Sequence, residues 1–228
     1  MLTKQKKLSR KEIKEDKLVE IYYKSQSFFE ENKNRIFMYL GIAALVVVAV
    51  IFYMNYRSSQ NEEAGLHLSK VMEMYDMGDY LGAIEGKKDI KLLGLKDIVS
   101  EYGSTENGET AKIFLANSYA NLGKAEDAFK YYDDYSGSID IYVAASLAGQ
   151  ASYHASKNEY EKAADLYLNA SRVIKKDLRN ADYIFLAAVN YFEAGDTEQA
   201  KTLFETIKDE YKTSMAFTQV DRYLTQLN

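Results

Sequence analysis

Two kinds of patterning divide the chain. From Ile36 to Met54 it reads IFMYLGIAALVVVAVIFYM, nineteen residues with no charge and no strongly polar group. Coiled as a helix at 1.5 Å per residue, that stretch spans roughly 29 Å, close to the thickness of a bilayer's hydrocarbon core. Tyr39, Tyr53 and Tyr56 stand near its ends, where amphipathic rings suit the headgroup layer. A signal peptide has a shorter apolar core, roughly 7–15 residues, and a small-residue cleavage site. The sequence after the span, YRSSQNEEAG, offers no A-x-A. The pattern therefore predicts one retained transmembrane helix over residues 36–55.

From about residue 60 the apolar positions recur at helical spacing, broken by a repeated punctuation. Gly78, Gly123, Asn158 and Gly195 align, and five positions after them stand Ala83, Ala128, Ala163 and Ala200. The last three units lie 35 and 37 residues apart, and the first gap is 45. A period of this size predicts stacked helical hairpins. Glycine or asparagine closes the first helix of each hairpin because the chain must turn left-handed there. GDTEQA and GKAEDA put acids in the first turn of the next helix, where the helix dipole favours them. Seven residues before the turns come Ala116, Ala151 and Ala188, small enough for two helices to approach closely. Four residues after the second alanine come the rings Tyr132, Tyr167 and Phe204, on the same helix face as that alanine. The unit at 63–90 keeps this pattern least well: Lys87 replaces the ring, and Gly82 and Gly86 loosen its second helix. The final stretch, DEYKTSMAFTQVDRYLTQLN, predicts a terminal capping helix with Phe217 and Tyr223 inward.

Charge gives the layout a direction. Residues 1–35 carry ten Lys/Arg and six Asp/Glu, a net +4, whereas residues 36–228 carry 19 and 28, a net −9. Lys24, Lys33 and Arg35 precede the span, and Arg57 follows it closely. The positive-inside rule then puts residues 1–35 in the cytoplasm and the repeats, 60–228, on the other side. In a Gram-negative cell that side is the periplasm. The leader predicts a helix opened by Ser9 and Glu12 at capping-box spacing, with Leu18, Tyr22, Ser25 and Phe29 on one face. That face suits anionic lipid or a cytoplasmic partner.

Composition removes most chemistry. Cysteine is absent, so no thiolate or disulfide is available, and the histidines are His67 and His154. Neither stands beside a second histidine at ligand spacing, and His154 reads as a packing residue. Asp133 and Asp134 lack the spacing of a calcium loop and read as a solvated turn. The acidic outer part argues against nucleic acid. Proline is absent where average usage of about 5% would give about ten, which suits a chain that is helical almost throughout. No catalytic residue, cofactor or metal is expected.

The units resemble tetratricopeptide repeats, with LANSY (Leu115, Ala116, Tyr119) and AAVNY (Ala187, Ala188, Tyr191) matching the first half of the pattern. AFKYY, ADLYL and AKTLF match the second half, while tryptophan and the repeat-ending proline are missing and His154 replaces the tyrosine. The resemblance implies an all-α fold: a single N-terminal transmembrane helix followed by a tetratricopeptide-repeat-like α-solenoid. It also implies a groove on the inner face of the first helices. By repeat geometry Asn117, Asn121, Ser152 and Ser156 line it, continuing to Val189 and Glu193. Phe185 and Phe192 are either apolar anchors there or packing between repeats.

The layout of basic leader, anchor and acidic repeats resembles the YfgM-like ancillary subunits of the bacterial SecYEG translocon. That resemblance implies a non-catalytic, single-pass inner-membrane scaffold. Its implied partners are SecYEG-type translocon subunits, periplasmic chaperones and translocating polypeptides. A repeat scaffold of another cell-envelope assembly, such as outer-membrane biogenesis or a secretion machine, shares the same sequence features.

Overall fold

A computed structural model describes residues 10–227, with side chains from residue 17 onward. The Ser9 cap expected for the leader lies outside the described residues. Helix α1 runs from Arg10 to Asp76 without a break. The chain divides into two units at Tyr56 and Arg57. YRSSQNEEAG holds no proline, so nothing in it stops the helix that enters from the apolar stretch.

From Phe37 to Met54 the large apolar side chains stand bare. Phe37, Leu45 and Phe52 are 61%, 71% and 76% exposed. Such a helix satisfies its own backbone and presents hydrocarbon outward, as a lipid-facing segment must. It is long and apolar enough to cross a membrane and is a candidate span.

The second unit is a series of helical hairpins. The end of α1 pairs with α2 (Tyr80–Glu85), and α4 (Glu106–Asn121) with α5 (Ala125–Asp133). Next, α6 (Asp140–Ser156) pairs with α7 (Tyr160–Val173), and α8 (Asn180–Ala194) with α9 (Thr197–Glu210). Helix α10 (Met215–Leu224) closes the array, burying Ala216 and Val220, with Phe217 and Tyr223 half-buried beside them.

The four aligned turns share one geometry. Gly78, Gly123, Asn158 and Gly195 have φ of 79°, 72°, 61° and 85°. The next residues, Asp79, Lys124, Glu159 and Asp196, each donate a backbone N–H to a carbonyl five residues back, at 2.9 Å. The acceptors are Met74, Tyr119, His154 and Tyr191, so all four helices end in the 6→1 bond of a Schellman turn. A Cβ on Gly123 would meet nothing within 4 Å. Gly123→Ala therefore carries only the left-handed strain and is expected to cost about 1–2 kcal/mol. Asn158→Gly is expected to be neutral or stabilising, and urea unfolding of both variants checks the pair.

The alanines after the turns and those at 116, 151 and 188 are all buried. Tyr132, Tyr167 and Phe204 are buried too, so the phase read from the sequence is the packing phase. The first hairpin departs from the others after α2. Gly86 takes a positive φ and ends that helix after six residues. The chain then forms a two-stranded antiparallel ribbon, β1 (Gly86–Lys87) with β2 (Leu92–Leu93), around a 3-10 turn at Lys88–Ile90. Helix α3 (Leu95–Tyr102) follows. This insert accounts for the longer first spacing.

Candidate functional site

Four half-buried rings form a ladder across the first three hairpins. Tyr75 at the end of α1 meets Tyr80 of α2 edge-on at 5.5 Å and Phe114 of α4 at 5.1 Å. Phe114 in turn meets Tyr142 of α6 at 5.9 Å. Edge-to-face contacts at these distances are favourable and hold each ring in a fixed pose. Asn117, one turn after Phe114, joins the ladder's helix to the next element: it accepts from the Tyr132 hydroxyl at 2.5 Å. Burial, with Tyr75 and Tyr167 adding to it, pushes the Tyr132 phenol up to about 12. It is therefore protonated at neutral pH and able to donate to Asn117.

Beyond Tyr132 lies a cleft of about 180 Å³, lined by Gly123, Phe129, Tyr132, Ser152, Tyr153 and Ser156 among others. Within its wall the Tyr132 ring lies close against Gly149. A Cβ at that glycine would sit 2.3 Å from the ring. Phe129 stacks on Tyr153 at 4.2 Å. His154 is buried beneath Phe129, with Nδ1 2.7 Å from a Glu159 carboxylate oxygen. It packs as the sequence suggested.

The expected groove residues thus separate into groups. Asn117, Ser152 and Ser156 belong to one strip with the ladder and the cleft. Asn121 is exposed, its amide donating to the Asn117 carbonyl at 2.8 Å. Phe185 and Phe192 each meet Tyr223 of α10 at 5.7 Å, and Phe185 meets Phe204 at 6.0 Å. These contacts favour packing over an open anchor for the two rings, and Val189 packs against the same cluster. Glu193 lines a separate depression of about 500 Å³ with Glu159, Glu161 and Lys162.

Two features escaped the sequence reading. Lys112 is buried, its ammonium 2.9 Å from Glu109 and 2.9 Å from the Asp134 carboxylate. Glu109 also accepts from the Ser136 backbone N–H at 2.8 Å and from its hydroxyl at 2.9 Å. Burial works against the charge on Lys112, but hydrogen bonds and attraction from Glu109 and Asp134 outweigh it and raise the pKa above its ordinary value. This knot ties α4 to the α5–α6 connection. Asp134 is therefore a paired residue as well as a solvated one. The second feature is a cleft of about 540 Å³ between the α7–α8 and α9–α10 connections, flanked by the nearly bare Leu178 and Met215. There the Arg179 guanidinium holds the Asp177 carboxyl down at about 2. Among the described residues no group of three or more His, Asp or Glu could hold a metal ion.

The fold is an all-α, tetratricopeptide-repeat-like solenoid. Residues 182–214, from α8 to the start of α10, match the tetratricopeptide repeat family. No curated protein and no solved structure matches the chain. Repeats of this kind stack into extended binding surfaces, and the repeat implies a scaffold for protein interaction.

Proposed function

We propose that the chain is a non-catalytic, membrane-anchored scaffold associated with the Sec protein translocon. Its repeat domain, residues 60–228, binds partner proteins, emerging chains or periplasmic chaperones. Residues 36–55 cross the inner membrane once, and residues 1–35 stay in the cytoplasm.

The observation that carries this reading is the bare apolar helix on the same chain as a repeat array. A tether of that kind confines the array to the membrane surface and raises its effective concentration near a membrane partner. The orientation rests on Lys24, Lys33 and Arg35 ahead of the span. Arg57, after the span, is drawn into the repeat unit, where its guanidinium donates to the Ser104 carbonyl at 2.7 Å.

Purification of the full chain in mild detergent, followed by mass spectrometry of the accompanying proteins, tests the reading. Recovery of translocon subunits supports it. Recovery of a different envelope assembly in their place would move the scaffold to that assembly.

A further inference from the structure

The aromatic ladder and the cleft beside it differ from the rest of the array in what surrounds them. Asp76 follows Tyr75, Asp79 precedes Tyr80, and Asp140 lies two residues before Tyr142; all three are exposed. Lys112, on the same helix as Phe114, is buried and committed to Glu109 and Asp134. The strip's floor carries the hydroxyls of Tyr132, Ser152 and Ser156 and no charge. Nearby rings already receive cations from within the chain: Lys124 lies 5.8 Å over Tyr119, and Lys157 lies 5.3 Å over Tyr153. In the C-terminal half, by contrast, Phe185 and Phe192 meet Tyr223 of α10.

We propose that this strip, from Tyr80 to Ser156, binds an extended polypeptide segment carrying Arg or Lys beside aromatic or aliphatic residues. The inference rests on the reading of the array as a protein-binding scaffold and names the chemistry of its ligand. Apolar side chains of the segment lie on Phe114 and enter the cleft by Phe129. Its cations face the tyrosine rings and the carboxylates of Asp76, Asp79 and Asp140. The net charge of −9 over residues 36–228 turns away acidic segments.

The chain contains no tryptophan, so the emission of a tryptophan-bearing peptide reports binding without background. The full chain in detergent micelles is titrated with such a peptide rich in Lys and Leu, and with its twin bearing Glu for Lys; empty micelles serve as the blank. The basic peptide is expected to bind at least about tenfold more tightly than the acidic one, a difference of about 1.4 kcal/mol. Its affinity should fall as salt is raised. Asp76→Asn with Asp140→Asn, both at the surface, should weaken the basic peptide and flatten its salt dependence. Tyr75→Leu with Phe114→Leu should weaken it about tenfold. Equal binding of the two peptides overturns the proposal, as does loss of binding through Leu178→Ser with Met215→Ser instead. A chain that binds neither peptide yet still co-purifies with membrane partners refutes this inference and leaves the scaffold reading standing.

Discussion

Replacing Lys112 by alanine is expected to lower the stability of the repeat unit by about 3 kcal/mol. The side chain is 9% exposed and lies between two carboxylates. Removing it leaves Glu109, itself only 11% exposed, as a charge in a poorly hydrated place with the two Ser136 donors alone for compensation. The loss should register as an earlier urea midpoint in the full chain, followed by tyrosine circular dichroism. Glu109→Gln on top of Lys112→Ala should recover part of it, because the stranded charge is then gone. Lys157→Ala is the matched control. It breaks an ion pair of similar length, 2.6 Å to Glu126, but at an exposed site, and the midpoint should not move. Equal effects of the two lysine substitutions would mean that the knot between α4 and the α5–α6 connection contributes nothing special.

Phe204→Ala is expected to cost about 3–5 kcal/mol, the range for emptying a fully buried aromatic site. Phe204 is inaccessible to solvent and stacks on Tyr223 at 5.0 Å with Phe185 edge-on at 6.0 Å. It occupies in the last repeat the position that Tyr132 and Tyr167 occupy in the two before. Its removal opens a cavity where α8, α9 and α10 meet, so the damage should be local first. Hydrogen exchange should show Val220 and its neighbours in α10 losing protection before the amides of α4. Uniform loss along the array would contradict the division of the core into an N-terminal and a C-terminal cluster.

The turns were legible in the sequence because a left-handed residue leaves a chemical mark. Only Gly, and less readily Asn, takes that conformation at low cost, so four such residues in register announced four reversals. The alanine and ring phases were legible for a related reason, since close helix approach demands small side chains at fixed offsets. The ribbon after α2 was not legible: strands of two residues carry no periodicity, and the sequence offered only a loosened helix. Glu109 and Lys112 stand three apart, a spacing common to surface pairs on helices, and so carry no mark of burial in the sequence. Only the fold brings Asp134 and Ser136 over it and buries it. The candidate strip was legible in part. Asn117, Ser152 and Ser156 fell on the strip that repeat geometry implied. The ladder of Tyr75, Tyr80, Phe114 and Tyr142 is made of residues far apart in the chain and needed the packing to assemble it. Tyr223 was expected to face inward, but nothing in its local sequence said that it would meet Phe185 and Phe192. The apolar stretch marked only the length of a candidate span; the helix that carries it continues to Asp76, because polar residues extend a helix readily.

The proposed topology has one apolar segment tethering the repeat array on the far side of the cytoplasmic membrane. Its most direct test is protease treatment of cells with the outer membrane opened, on a chain tagged at each end, after an alkaline wash has shown it to be integral to the membrane. The expected result is a full-length protein that resists the wash, loses its C-terminal tag to external protease and keeps its N-terminal one. A C-terminal tag that survives until the inner membrane is broken, or a soluble form lacking residues 36–55, would contradict it.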